Sequence, residues 1–228
     1  MRYALYATPA RDHALCQAAV AWLGRDAFGL VELPLPAIEG LAPEMVETYL
    51  ADPARYGFHA TLKAPFSLAA GYGEAELVAA VDSFAAQSRS IMVPELVIRR
   101  LGRFFALVPN EPLEALDDWA GRIVVAFEPF RAELAQADIA RRRAVGLTLD
   151  EESNLLRWGY PYVFDAFRFH MSLTGRVPRD EAERVDRALR RHFAAFDGSP
   201  FLIDRLALFV EPERGAPFEV RHVALLAG

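Results

Sequence analysis

The chain has 228 residues, of which 53% are hydrophobic and 25% are charged, and its formal net charge is −6 at pH 7. This composition excludes a largely disordered chain and suits either one compact domain of two lobes or two small domains. The acidic balance argues against a long nucleic acid as partner, because proteins that hold phosphate backbones non-specifically usually present a basic surface. The single cysteine, Cys16, excludes an internal disulfide and a zinc site made of several cysteines.

No segment approaches the roughly 20 consecutive apolar residues of a membrane helix. The first residues also lack the form of a secretory signal. We therefore expect a cytoplasmic protein without a membrane partner. The oligomeric state is not indicated.

The first half of the chain alternates predicted strands and helices. Period-two alternation predicts the strands, and apolar residues at helical spacing predict the helices. Residues 30–44 hold three prolines and predict a loop. The elements are a strand over Arg2–Ala7, a helix over Asp12–Leu23, a short helix over Glu44–Leu50, a strand over Arg55–Ala64, a helix over Glu74–Ser88, and a hairpin over Pro94–Leu101 and Arg103–Val108.

The second half continues the irregular alternation. Its predicted helices are Leu113–Phe127, Arg131–Arg142, Asp150–Leu156 and Arg179–Phe196, and its predicted strands are Phe167–Thr174, Phe201–Val210 and Phe218–Leu226. Two hairpins among these elements favour an α+β fold over a doubly wound parallel sheet. No glycine-rich phosphate loop follows a strand, so a Rossmann or P-loop nucleotide site is not indicated.

One short pattern occurs twice. Phe58-His59-Ala60-Thr61-Leu62 is echoed by Phe169-His170-Met171-Ser172-Leu173, although the chain has only five histidines and 12 serine plus threonine residues. Residues i and i+2 of a strand share a face. Each motif strand therefore packs one face on a core and offers an imidazole and a hydroxyl on the other. The residues predicted to share these polar faces are His59, Thr61 and Lys63 on the first strand, and Arg168, His170 and Ser172 on the second.

Two histidines in matched settings indicate general acid–base chemistry. Unperturbed histidine titrates near pH ~6.5, so one ring can accept a proton from water while the other donates to a leaving oxygen. Which histidine is the base is left open by the sequence. The hydroxyls of Thr61 and Ser172 can donate to charge that develops on the reacting group.

Two cations are further candidates for the same site, Lys63 and Arg168. Lys63 is the single lysine beside 24 arginines. Either this position needs a compact ammonium or the lysine has survived by chance.

A metal centre is the alternative chemistry. It needs three or four ligands, and neither motif strand supplies a second histidine or a carboxylate at ligand spacing. We therefore predict no metal and no organic cofactor. His13, His192 and His222 have no such partners either, and we interpret them as structural.

An aromatic run precedes the second motif and is a candidate pocket wall. Trp158 and Tyr160 would stack on a ring or a sugar, and ordinary core packing is the alternative. The arginine run 141–143 is interpreted as a solvated helix face.

Two H-x-[ST] motifs separated by 111 positions (170 − 59) resemble the 2H phosphoesterase superfamily. Residues 56–66, 157–162 and 167–175 are similar to a poorly characterised branch that bacteria encode beside phosphonate-degradation genes. The resemblance implies one bilobed α+β domain over residues 1–228, in which two pseudo-symmetric antiparallel-sheet lobes with flanking helices enclose a central cleft. It also implies that His59 and His170 catalyse a reaction at a phosphate, whose oxygens the hydroxyls of Thr61 and Ser172 are then predicted to bind. Lys63 and Arg168 are candidates for binding the same phosphate.

The resulting hypothesis is a metal-independent phosphoesterase whose partner is a small cyclic phosphodiester, such as a ribose cyclic phosphate in phosphonate metabolism. One alternative is processing of 2′,3′-cyclic or 2′–5′ linked RNA ends, as in other branches of the superfamily. Another is a phosphate-binding module without catalysis, against which the two intact motifs count.

Overall fold

The computed structural model describes residues 1–228. Its strands are β1 Arg2–Ala7, β2 Arg25–Asp26, β3 Val31–Glu32, β4 Ala60–Phe66, β5 Ile91–Leu101, β6 Phe104–Pro109, β7 Met171–Ser172, β8 Ser199–Ile203, β9 Arg205–Glu211 and β10 Glu219–Leu225. Its helices are α1 Ala14–Leu23, α2 Pro43–Tyr56, α3 Glu74–Ala86, α4 Glu114–Ala126, α5 Gln136–Arg143, α6 Leu149–Trp158 and α7 Ala182–His192. None of these helices combines the length and the hydropathy needed to cross a membrane.

Eight of the strands form one antiparallel sheet whose two halves mirror each other. The strand order is β10-β9-β1-β4-β7-β6-β5-β8, and β2 pairs separately with β3. The motif strands β4 and β7 lie side by side at the centre, and three strands follow outward from each. The predicted α+β fold with two antiparallel halves is thereby confirmed.

The chain enters and leaves the second half once. Strands β5 to β8 are consecutive and form that half, whereas the first half combines β1 and β4 with β9 and β10. Only Asp204 separates β8 from β9, so one nearly continuous length of chain begins beside β5 and ends beside β1. The chain therefore links the two halves covalently at this point, and strand pairing links them at the centre of the sheet.

At the centre, the two halves meet through one antiparallel residue pair, Ala60 opposite Met171. Both residues are completely buried and belong to the main hydrophobic core. This core covers one face of the sheet and includes apolar residues from α1, α2, α3, α4 and α7. The site described below occupies the opposite face.

A smaller cluster lies on that opposite face. Alternate residues of β1 and β9 contribute to it, because successive side chains of a strand point to opposite sides. Tyr6 and Phe209 pack there against Phe218 together with three alanines. This cluster provides an apolar floor beside the motif strands.

Several predicted elements have different bounds in the structure, and three of these are strands at or beside the motifs. The strand predicted over Arg55–Ala64 begins only at Ala60, because α2 continues through Tyr56. The strand predicted over Phe167–Thr174 is reduced to β7. The strand predicted over Phe201–Val210 is divided at Asp204, since its two parts pair with different neighbours.

Truncating the larger side chain of the central pair tests this architecture. We expect Met171→Ala to lower the free energy of unfolding by about 2–5 kcal/mol, because the buried contacts are lost and a cavity remains. Met92 on β5 is 52% exposed, and Met92→Ala should change the same quantity by no more than about 0.5 kcal/mol. Denaturant titration of both variants measures the values. Equal effects would contradict the burial of the junction.

Candidate active site

The two H-x-[ST] motifs meet on the sheet face opposite the main core. The antiparallel register of the central pair places His59 across from Ser172 and Thr61 across from His170. The histidines thus occupy one diagonal of a four-residue group. Diagonal neighbours on two antiparallel strands are about 7–8 Å apart, so a phosphate fits between the two rings.

Hydrogen bonds at both ring nitrogens orient His59. Nδ1 donates to the carbonyl oxygen of Gly57 at 2.9 Å, and Nε2 lies 3.2 Å from Oγ1 of Thr61. Because a carbonyl only accepts, the neutral ring carries its proton on Nδ1, and Nε2 accepts from the Thr61 hydroxyl. The ring also stacks on Tyr6, with centroids 3.7 Å apart and planes inclined by 20°. The basic nitrogen of His59 is thereby fixed.

His170 is held in the same manner. Its Nδ1 donates to the carbonyl oxygen of Arg168 at 2.7 Å. In both motifs the acceptor is therefore the carbonyl two residues before the histidine. Phe104 lies beside the His170 ring, with centroids 5.6 Å apart. Nε2 is the nitrogen left free for chemistry.

The turn ahead of β4 depends on Gly57. Its φ is +75°, a conformation that side chains rarely adopt, and an added Cβ would lie 2.6 Å from the Cβ of Ala27. The next carbonyl, of Phe58, accepts from the Thr8 hydroxyl at 2.8 Å. The turn at Gly57 and the hydrogen bond from Thr8 together fix the main chain that carries the acceptor of His59.

Burial lowers the pKa of both histidines. Desolvation lowers the pKa of His59 from 6.5 to about 4, against the opposing hydrogen bond to Gly57, and the charge of His170 lowers it further. Desolvation likewise lowers the pKa of His170, and its bond to the Arg168 carbonyl opposes this. Both rings are consequently neutral at pH 7 in the free protein.

A pocket of about 610 Å³ opens beside the motifs. His59, Thr61 and Ser172 line it together. The rest of its wall is mainly aromatic and cationic. It consists of Arg2, Tyr6, Arg55, Tyr56, Ala64, Pro65, Arg141, Arg142, Tyr160, Arg214 and Gly215.

The central strand pair brings together the two histidines and the two hydroxyl residues of the motifs. Three of these four line the pocket, and His170 lies beside them without lining it. Of the two candidate wall residues, Tyr160 lines the pocket. Trp158 does not, because it ends α6 and packs edge-on against Phe164, with ring centroids 5.2 Å apart. The expectation of a wall made by both aromatic residues is corrected for Trp158.

Lys63 does not reach the pocket either. Between Thr61 and Lys63, β4 advances two residues while β1 advances one, which is a β-bulge. The bulge interrupts the alternation, and the buried ammonium turns toward α4. There it donates to the carbonyl oxygen of Val124 at 3.0 Å and to the Glu128 carboxylate at 2.9 Å. The expectation that Lys63 binds the substrate phosphate is therefore corrected.

Arg168 contacts the site through its main-chain carbonyl and not through its guanidinium. Its guanidinium donates to the carbonyl oxygens of Asp165 and Phe167 and lines a separate concavity beside α4. The residues before Met171 are not part of β7, so strand alternation does not extend to Arg168. The expectation of phosphate binding by this guanidinium is corrected, and its carbonyl anchors His170 instead.

Several pocket residues were not singled out from the sequence. Tyr6 has a local signal, the alternation of β1, but its stacking on His59 depends on pairing between distant strands. Arg141 and Arg142 belong to the run interpreted as a solvated helix face, and both line the pocket. The remaining missed arginines include Arg2 and Arg214, which come from opposite ends of the chain.

The other histidines lie elsewhere. His13 caps α1 by accepting from the amide of Leu15, and His192 bonds to the carbonyl oxygen of Ala18. His222 contacts Asp82 at 2.6 Å. No group of three or more His, Cys, Asp or Glu side chains is placed to hold a metal ion.

Comparison with known proteins gives a family and two curated relatives. The family model described as "Protein of unknown function (DUF1045)" matches residues 61–219. The relatives are both named ribose 1,5-bisphosphate phosphokinase PhnN: that of Janthinobacterium sp. (strain Marseille) is 39% identical over 221 residues, and that of Laribacter hongkongensis (strain HLHK9) is 36% identical over 231 residues. The alignments cover 95% and 100% of this chain but 49% and 53% of the relatives. The chain thus spans about half their length.

Solved structures also align with the whole chain at low identity. TT0787 of Thermus thermophilus is 14% identical, with 99% of that chain covered and a TM-score of 0.48. E. coli LigT complexed with 3′-AMP is 11% identical, with 98% covered and a TM-score of 0.44. A structure described as a phosphoesterase is 11% identical, with 99% covered and a TM-score of 0.45. Each alignment covers 100% of this chain.

The position of Lys63 predicts a loss of stability on substitution. We expect Lys63→Met to lower the free energy of unfolding by about 1–3 kcal/mol, because the buried carbonyl of Val124 and the half-buried carboxylate of Glu128 lose a charged donor. Lys63→Arg should also destabilise, since a planar guanidinium does not fit where Nζ lies. Thermal and denaturant unfolding measure both effects. Turnover by the folded variants should stay near that of the parent; a large fall in kcat with unchanged stability would return Lys63 to the site.

Proposed function

The chain belongs to the DUF1045 family, and we propose that it is a phosphoesterase that hydrolyses a small cyclic phosphodiester by general acid–base catalysis. One observation carries the proposal. The two H-x-[ST] motifs oppose each other in register, and each imidazole has its Nδ1 bonded to a main-chain carbonyl, so that Nε2 is the nitrogen that can exchange a proton with the substrate or with water. Two such nitrogens across a phosphate supply a proton acceptor and a proton donor. No metal or organic cofactor takes part in the proposed reaction.

We assign the role of base to His59. Its Nε2 carries a lone pair, and its pKa of about 4 keeps it unprotonated at neutral pH. A water beside Nε2 gives its proton to His59 as the water oxygen forms a bond to phosphorus. The bond from phosphorus to the ester oxygen on the opposite side breaks, and protonated His170 gives its Nε2 proton to that oxygen. The products are a phosphomonoester and a free hydroxyl group.

Thr61 responds to the protonation state of His59. While the ring is neutral, the Thr61 hydroxyl donates to Nε2. When the attacking water takes over the single lone pair of Nε2, the hydroxyl proton is released to bond a phosphate oxygen. Stabilisation thus increases as charge develops, which is the condition for catalysis by a hydrogen-bond donor. Ser172, across from His59, contributes a second hydroxyl.

The substrate class proposed is a ribose cyclic phosphate. The resemblance of the motif segments implies this class, and the curated relatives are named for a ribose phosphate. We assign the phosphokinase activity in that name to the part of the relatives beyond this chain. The sequence contains no G-x-x-x-x-G-K-[ST] loop, and its single lysine, Lys63, is bonded to Glu128.

Histidine substitution tests the assignment. We expect His59→Gln and His170→Gln each to lower kcat/KM by about 10²–10⁴-fold, because each removes one proton-transfer step. His222→Gln is the matched control, since His222 contacts Asp82 away from the pocket, and it should behave as the parent. The substrates are ribose 1,2-cyclic phosphate, 2′,3′-cyclic AMP and an oligonucleotide with a 2′,3′-cyclic end.

Parent-like rates in both histidine variants would disprove the mechanism. Hydrolysis of none of the three substrates would disprove the function, and preference for the oligonucleotide would favour RNA-end processing. EDTA should leave the rate unchanged. Inhibition by EDTA that added metal reverses would instead indicate a metal-dependent reaction.

The lowered pKa values predict the pH dependence. The pH profile of kcat/KM reports the pKa values of the free protein. There the base His59 becomes protonated only near pH 4, whereas the acid His170 loses its proton below 6.5, the ordinary pKa of histidine. We therefore expect kcat/KM to be highest between these limits and, as the pH rises, to fall at a pH below 6.5. A bound anionic phosphate favours the imidazolium, so the falling limb of kcat should lie at higher pH. Measuring both profiles decides; a kcat/KM optimum above about pH 8 would contradict the assignment.

A further inference from the structure

The charge of the pocket wall is unusual for this chain. Every charged residue that lines the pocket is an arginine, apart from the histidine, and no carboxylate lines it. The chain as a whole carries a net charge of −6. These arginines come from β1, α2, α5 and the β9–β10 turn, so the fold gathers them from distant parts of the sequence. They are Arg2, Arg55, Arg141, Arg142 and Arg214.

Two carboxylates behind this wall are each shared by two arginines. Glu211, which is completely buried, pairs with both Arg2 and Arg55. Asp138 pairs with both Arg141 and Arg214. In each group two guanidinium charges face one carboxylate charge, so one positive charge is not neutralised.

Arg142 has no carboxylate at all. Its guanidinium lies over the ring of Tyr160, 4.9 Å from the centroid, and its buried Nε has no hydrogen-bond acceptor. A buried donor without an acceptor is rare in folded proteins, and a bound ligand is one way to satisfy it. Five guanidinium charges against two carboxylates leave a charge of +3 (5 − 2) beside the motifs.

We infer that the substrate carries a phosphomonoester in addition to its cyclic phosphate, and that the arginine wall binds this second phosphate. The inference rests on the proposed function. A phosphomonoester contributes about −2 near neutral pH, and the cyclic diester contributes one further negative charge, which together match the +3 of the wall. Planar guanidinium groups bind phosphate oxygens in pairs. A volume of about 610 Å³ suits a sugar bisphosphate.

The kinetic test compares ribose 1,2-cyclic phosphate with and without a 5-phosphate. We expect the parent to have a kcat/KM at least about 10²-fold higher for the 5-phosphorylated ester, because charge-assisted hydrogen bonds are among the strongest in proteins. Arg142→Gln should remove most of this difference, mainly through KM. Arg143→Gln is the matched control: Arg143 is the next residue of α5, is exposed, pairs with Glu152 and does not line the pocket. It should behave as the parent.

A binding measurement separates this inference from the proposed function. Ribose 5-phosphate has no cyclic ester, so its binding, measured by calorimetry, does not require hydrolysis. It should bind the parent and Arg143→Gln alike and bind Arg142→Gln at least about 10-fold more weakly, the loss of roughly one charged hydrogen bond. Thermal unfolding of Arg142→Gln, measured beside that of the parent, shows that the weaker binding comes from a folded protein.

The outcomes are distinguishable. Equal hydrolysis of both esters, with no effect of Arg142→Gln, would overturn the inference and leave the phosphoesterase in place. Binding of ribose 5-phosphate without hydrolysis of any cyclic ester would support the wall and overturn the proposed function. Preference for the cyclic-ended oligonucleotide over the 5-phosphorylated ester would overturn the inference as well.

Discussion

The antiparallel pairing of Ala60 with Met171 is the constraint on which the rest of the molecule depends. It joins the two halves of the sheet, buries one face of both motif strands in the main core and turns the other face of each toward the pocket. A slip of one residue would send the imidazoles and hydroxyls into the core, because side chains alternate along a strand. The complete burial of both residues of the pair opposes such a slip.

Proton transfer and charge neutralisation are assigned to different parts of the site. The histidines sit where burial favours their neutral forms, which suits groups that must exchange protons. The permanent positive charge comes from guanidinium groups, which do not titrate in this range. Tyr6, Tyr56 and Tyr160 lie with these two sets of groups in the pocket wall. The negative charge of a substrate with a phosphate at each end would therefore raise the pKa of a neighbouring histidine and favour its protonation.

The arrangement of the two motifs was predictable from the sequence, and much of their surroundings was not. Alternation is a local property, so two H-x-[ST] motifs predict matched imidazoles and hydroxyls, and the element pattern predicts an α+β fold. Lys63 marks the limit, because its orientation depends on a bulge against a strand nearly 60 residues earlier (63 − 5 = 58). Arg142 marks another, since an arginine run is typical of a solvated helix and only tertiary packing brings it to the pocket. The division of Phe201–Val210 between two halves of the sheet is likewise a long-range outcome.

The path of the chain through the sheet has a consequence for the order of folding. The longest pairing inside the second half joins β5 to β8, which are about 110 residues apart along the chain (203 − 91 = 112). The first half cannot be completed until β9 pairs with β1, about 200 residues away along the chain (208 − 5 = 203), and contacts of such separation form slowly. The stacking of Tyr6 on His59 and the ion pairs of Glu211 both depend on β1 and its neighbours. We therefore expect the pocket to be completed only when β9 pairs with β1.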